Sequence, residues 1–182
     1  YLAAAIKQGQ DAVATTHPAF AEAEKAVANR IDRLLAVQGT KTVDHFHREL
    51  GKIMWQECAM SRNQAGLEKA IRQINALKDE FWQDVKVTGR SDSLNGELEK
   101  ALRLADFLEF GELMIVDALS RQESCGGHFN ERFQTDENEA LRDDENFCHV
   151  AAWEYTGDNQ KPAFHKEPLA FENVKLTQRS YK

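Results

Sequence analysis

Two cysteine–histidine pairs are the residues whose types and spacing could do chemistry. Cys125 and His128 stand three positions apart, and Cys148 and His149 are adjacent. Thiolate and imidazole are zinc ligands, and structural zinc sites draw ligands two to four residues apart from both ends of the motif. The first pair meets that spacing. The second does not, because neighbours on an extended strand point to opposite faces. Cys125 could instead act as a nucleophile with His128 or His149 as its base, but no cation stands beside it in sequence and acidic neighbours disfavour a thiolate. Packing and hydrogen bonding are the plainer uses of both pairs.

The other candidates are weaker. His45 and His47 lie beside Asp44 and Glu49 in a helical pattern, where positions two apart do not share a face, so they read as surface histidines. Residues 129–146 carry seven acidic and two basic side chains, yet lack the alternating oxygen ligands and central glycine of a calcium-binding loop. They read as a solvated face. Gly126-Gly127 follow a helical pattern rather than precede one, which is the wrong order for a phosphate-binding loop. The residues alone therefore make no complete active site.

The elements that must position these residues are helical. Proline is absent between Pro18 and Pro162, and apolar residues recur at helical spacing over most of that interval. A helix starting at Pro18 carries Phe20, Ala23, Val27, Ile31 and Leu34 on one face and stops at Gly39. Thr42 caps a second, with Val43, Phe46, Leu50, Ile53 and Met60 on its stripe. A third runs from about Ser61 through Leu67, Ile71, Ile74, Leu77, Phe81 and Val85. The fourth and longest runs from about Ser93 to Gln122, with Leu94, Leu98, Ala101, Leu102, Ala105 and Leu108 facing inward and Glu99 paired with Arg103 at an exposed i,i+4 spacing. Its second half is apolar nearly all round, at Leu113, Met114, Ile115, Val116 and Leu119, which calls for a second wall. Gly126 and Gly127 are expected to end this helix, at least one of them with positive φ. An extended stretch at Val150–Tyr155, the turn residues Thr156-Gly157-Asp158-Asn159 and a return over Pro162–Pro168 spell a short hairpin.

The whole reads as all-α: a three- to four-helix bundle, spectrin-repeat-like, followed by an irregular tail with a short β-hairpin. Its parts are residues 1–16, 17–128 for the bundle, and 129–182 for the tail. A chain of 182 residues with 42% hydrophobic side chains can bury a real core. A net charge of −7 argues against a nucleic-acid surface. The longest apolar run, Tyr1–Ile6, is far short of the roughly 20 residues of a membrane helix, and no secretory signal is visible. Three cysteines make no disulfide framework and point to a reducing compartment. The start at Tyr1, inside an apolar stretch, looks like a cut through a larger protein.

Read in order, five motifs resemble the C-terminal part of the flavoprotein subunit of succinate dehydrogenase and fumarate reductase. That family's signature, Arg-x-Glu-Ser-Arg-Gly-Ala-His, has its counterpart in Arg121-Gln122-Glu123-Ser124-Cys125-Gly126-Gly127-His128. The family's Ala-Leu-Glu-Leu appears as Ala101-Leu102-Arg103-Leu104, and Met54, Arg62 and Leu67 match a further spacing. Downstream, Arg142-Asp143-Asp144 followed by Phe147 resembles an Arg-Asp-Asp segment with its aromatic, and Arg179-Ser180-Tyr181 an Arg-x-Tyr ending. Two positions depart: Cys125 stands where the family has arginine, and His149 falls one residue closer than the family's histidine.

The resemblance spans roughly residues 42–182, and it implies a part without catalytic, cofactor-binding or metal residues of its own. The flavin (FAD), the dicarboxylate site and the catalytic groups belong in the family to earlier domains of the same polypeptide. Residues 1–16 would end the flavin-binding domain. The helical part would pack on that domain, and the tail would help hold an iron–sulfur subunit, with a membrane-anchor subunit touched only indirectly. Such a subunit interconverts succinate and fumarate in the tricarboxylic acid cycle or anaerobic respiration, on the cytoplasmic side of the inner membrane. The alternatives are the helical C-terminal domain of an aspartate-oxidase-like flavoprotein, a free-standing helical interaction module, and a zinc module built on Cys125, His128 and Cys148.

Overall fold

The computed structural model describes residues 2–9, 14–157 and 160–177. The elements are α1 (Leu2–Lys7), α2 (Pro18–Ala36), β1 (Lys41–Thr42), α3 (Val43–Glu57), α4 (Gln64–Asp84), β2 (Val85–Lys86), α5 (Gly96–Ser120), α6 (Asp144–Phe147), β3 (His149–Glu154) and β4 (Ala163–Pro168). This is the expected helical bundle followed by a tail with a short antiparallel hairpin.

Each long helix begins where a side chain can occupy a free backbone N–H. The His17 ring accepts from the Ala19 N–H at 3.2 Å, with Pro18 opening α2. Thr42 Oγ1 accepts from His45 N at 3.2 Å, Asn63 Oδ1 from Gly66 N at 2.9 Å, and Asn95 Oδ1 from Leu98 N at 3.0 Å. The two asparagine caps shift α4 and α5 two to three residues later than the apolar patterns place them.

The chain divides into two compact units, the first built from residues 1–47 and 78–107. Its core is Leu34, Val43, Phe46, Phe81, Val85, Leu98, Ala101 and Leu104, with the Phe46 and Phe81 rings edge to face at 5.5 Å. β1 and β2 pair in parallel, Lys41 beside Val85 and Thr42 beside Lys86, a pairing too short to show a periodicity. Gly39 makes the approach to β2 possible: a Cβ there would lie 2.0 Å from the Asp84 carbonyl oxygen. The Asp84 carboxylate accepts from the Thr40 N–H at 2.7 Å and from its hydroxyl at 3.0 Å, and those bonds, the backbone one first, hold its pKa below the ordinary value. Along α2 the expected stripe is covered only at its C-terminal end. Leu34 is buried, whereas Phe20 and Val27 are 52% and 58% exposed. Leu94, expected to face inward, precedes the capping Asn95 and is fully exposed.

The second unit holds residues 48–77 and 108–182. Leu50, Leu67, Ala70, Ile74, Leu77, Leu108, Ile115 and Ala118 form its core. The three helices close in around Gly111, where an added Cβ would stand 3.3 Å from Leu50 Cδ1, 3.5 Å from Met54 Sδ and 3.6 Å from Ile74 Cδ1. Met60, expected on the stripe of α3, lies beyond the helix end at Glu57 and is exposed. On α5, Ile115 is buried, Leu113, Val116 and Leu119 are half-buried, and Met114 is exposed. The tail lies against the end of α5 at Asp117 and its neighbours: Trp153 Nε1 donates to Asp117 Oδ1 at 2.8 Å, and Phe147, His149, Ala151 and Phe164 line a cleft with Asp117, Ser120 and Arg121. The hairpin has the expected strands, with His149 beside Pro168 and Glu154 beside Ala163. Asp158 and Asn159 of its turn lie outside the described residues.

Candidate functional site

The segment after α5 departs from expectation in a way that explains its residues. The helix ends at Ser120, before the two glycines. Ser120 Oγ turns back to the Asp117 carbonyl at 2.7 Å, and the Arg121 carbonyl points to His128 Nε2 at 3.1 Å instead of to a helical N–H. Gly126 does have positive φ, at 59°, but it serves a different turn. Cys125 and His128 exchange both backbone hydrogen bonds, at 2.8 and 3.0 Å, across the Gly126-Gly127 pair. This is a two-residue hairpin loop with glycine at its first central position, where φ above zero suits the strand twist. Gly127 has no such φ.

The motif residues then form one hydrogen-bonded assembly. Arg121 Nε donates to Glu123 Oε1 at 2.8 Å, and its Nη2 reaches the Phe147 carbonyl at 3.2 Å. Glu123, only 2% exposed, takes the Asp143 N–H on its other oxygen at 3.0 Å. One buried carboxylate thus joins the end of α5 to the start of α6. Ser124 is fully buried. Its hydroxyl accepts from Asn130 N at 2.8 Å and donates to Asn130 O at 3.1 Å, and its N–H donates to the Leu141 carbonyl at 2.8 Å.

Further along, Asp143 caps α6, its Oδ1 accepting from Asn146 N at 3.2 Å. Arg142 holds Asp144 Oδ1 through Nε and Nη2 at 2.9 and 2.5 Å, and reaches the Thr177 carbonyl at 2.9 Å. Arg179 and Tyr181 lie outside the described residues.

Arg62 is the residue that spacing alone undersold. Its Nε donates to the Cys58 and Ala59 carbonyls at 3.2 and 3.1 Å, occupying backbone acceptors just past the end of α3. Its Nη1 lies 2.9 Å from His128 Nδ1. Its own backbone pairs with the tail, Arg62 N to Phe129 O and Glu131 N to Arg62 O, both at 2.9 Å. Beside it, Ser61 and Asn63 donate to the Glu131 carboxylate at 2.8 and 3.2 Å. No periodicity could reveal these bonds, which link residues about 70 positions apart.

The arrangement holds backbone in place and leaves little for chemistry. Both His128 nitrogens have partners, and His149 packs its ring near Phe147 and Phe164. Among the described residues no three His, Cys, Asp or Glu side chains converge to hold a metal ion. Burial pushes the Cys58 thiol up, partly offset by Arg62, so it is a poor nucleophile. Among the described residues no helix is long and apolar enough to cross a membrane.

Residues 47–181 match the family model described as fumarate reductase flavoprotein C-term. The fumarate reductase flavoprotein subunit of Haemophilus influenzae is 25% identical over 97% of this chain. An uncharacterized FAD-dependent oxidoreductase of Methanocaldococcus jannaschii is 30% identical over 62% of it. The chain spans 28% and 20% of the lengths of those two relatives. Among solved structures, a mutant of Escherichia coli quinol fumarate reductase FrdA superposes with a TM-score of 0.76, covering 91% of this chain and 27% of that one. At 22% identity, that likeness speaks for the fold alone.

Proposed function

Because this chain belongs to the fumarate reductase flavoprotein C-terminal family, we propose that it serves as the non-catalytic helical domain of an FAD-dependent subunit that interconverts succinate and fumarate. The observation that carries the reading is the joint one: the family match covers the tail, and the tail's motif residues hold one another. Arg121, Glu123, Ser124, Arg142, Asp143 and Asp144 act here as structure, holding the segment after α5 together, and His128 ties it to Arg62 of the α3–α4 connection.

The flavin itself does not fit these residues. A dinucleotide site needs a strand–turn–helix with a glycine-rich turn at the carboxyl end of a parallel sheet. The described residues offer only two-stranded sheets. FAD and the dicarboxylate therefore belong to another domain of the same polypeptide in this reading, with residues 1–16 leading from it, 17–128 as the helical body and 129–182 as the tail. The partners are that flavin-binding domain and an iron–sulfur subunit, with the assembly on the cytoplasmic face of the inner membrane and any membrane anchor reached indirectly.

The test compares this chain alone with the whole polypeptide to which it belongs. The whole polypeptide is expected to purify yellow and to reduce a dye with succinate, or reoxidise one with fumarate. The chain alone is expected to do neither. Flavin retained by the chain alone, or a whole polypeptide without flavin, would overturn the reading.

A further inference from the structure

We propose that His128 is a proton-sensitive clasp, which holds the segment after α5 to the α3–α4 connection while neutral and lets it go once protonated. The argument starts from the donor inventory of its partners. An arginine guanidinium has N–H groups only, so the 2.9 Å contact between Arg62 Nη1 and His128 Nδ1 requires Nδ1 to be the acceptor. The 3.1 Å contact between Nε2 and the Arg121 carbonyl requires Nε2 to carry the hydrogen. The ring is therefore a neutral Nε2–H tautomer, fixed from both sides. A second proton has one place to go, Nδ1, where it would point into the guanidinium. The hydrogen bond would be lost and two cations would face each other in a half-buried place.

The charged groups around the ring agree. Arg62 faces it from the α3–α4 connection, and Arg121 and Asp117 face it from the end of α5. Burial lowers the His128 pKa first, and the positive charges of Arg62 and Arg121 lower it further. The bond to the Arg121 carbonyl and the Asp117 carboxylate oppose them without winning. The sign follows from linkage. A released His128 binds its proton at the ordinary value of about 6.5, and the clasped one only at lower pH. The open form thus takes up more protons as the pH falls, so the clasp is at full strength above about 6.5 and weakens below it. What it holds is specific: the backbone bonds of Arg62 N to Phe129 O and of Glu131 N to Arg62 O sit beside the ring.

The experiment is amide hydrogen exchange in the full chain at pH 7.5 and pH 5.0, corrected for the intrinsic pH dependence of exchange and read at Arg62 and Glu131. His128 is titrated alongside through its ring NMR signals. Protection at both amides should fall on acidification, by about tenfold at most for each unit that the clasped His128 lies below the ordinary value. The core amides of α4 should not follow. Arg62→Gln should keep the protection at pH 7.5 and weaken its acid response, because a carboxamide can donate to Nδ1 or, turned over, accept from Nδ1–H, while burial still disfavours the charged ring. His128→Asn should likewise respond little to pH. A His128 that titrates at or above 6.5 overturns the proposal. So does protection unchanged between the two pH values, or an acid response undiminished in both variants. Should either variant lose protection already at pH 7.5, the wild-type titration decides: a midpoint for opening that tracks the His128 titration supports the clasp, and one that does not sinks it.

Discussion

Helix α2 and the segment from Arg121 to Phe147 form a contrast. The helix is 19 residues of regular backbone, all hydrogen-bonded locally, yet only Leu34 along it is buried. The segment has almost no regular structure, yet Glu123, Ser124 and Asn130 are buried polar residues with partners, and no described buried side chain lacks one. Regularity and order are therefore different properties. A helix satisfies its backbone without help and can stand with an apolar stripe half open. An irregular segment buries polar groups only if side chains from distant parts of the chain satisfy them.

That contrast can be broken or sharpened by substitution, beginning where the largest effect is expected. Glu123→Ala should destabilise by about 2–3 kcal/mol, since it removes a buried carboxylate and strands both the Arg121 guanidinium and the Asp143 N–H. The fact that Arg121 is 31% exposed keeps the figure below that of a fully buried pair. Urea unfolding of the two proteins measures it, and a shift under 0.5 kcal/mol would mean that the segment is held by something else.

Ser124→Ala comes next, at about 1–2 kcal/mol, because a methyl leaves the Asn130 N–H unsatisfied in a buried place, while the Asn130 carbonyl keeps the Phe133 N–H. The same unfolding curves read it, and Ser124→Thr offers a control that keeps the hydroxyl. Gly126→Ala should cost about 1 kcal/mol through its φ of 59° alone, since open space surrounds the position. Gly127→Ala should be nearly silent, and equal effects at the two glycines would contradict the turn geometry. The smallest effects belong to α2. Phe20→Ser and Val27→Ser should each stay within about 0.5 kcal/mol. A core-sized loss at either position would show the stripe to be covered and remove the contrast.

What the sequence reveals divides along the same line. Helices α2 to α5 are legible because apolar residues repeat every three to four positions, and Thr42 and Pro18 mark starts that the structure keeps. The hairpin is legible through alternation and its turn residues. The end of α5 misleads, because Leu119 continues the apolar run and Gly126-Gly127 look like its stop. The real stop is made by His128 taking the Arg121 carbonyl, which no local pattern encodes. The family motif marks Arg121, Glu123 and His128 as a group. That Glu123 reaches Asp143, and that His128 reaches back to Arg62, are contacts between distant positions, visible only once the chain is folded.

The small hairpin also carries a colloidal consequence. A two-stranded ribbon has two outer edges, and five of the six residues of β4 are exposed. Such an edge is a template onto which an extended segment of another molecule can add by backbone pairing alone. Lys166 and Glu167 place charge along this strand and Pro168 removes a donor at its end, so stacking a second copy in register would bring like charges together and interrupt the ladder. Three side chains thus guard against self-association where the backbone invites it.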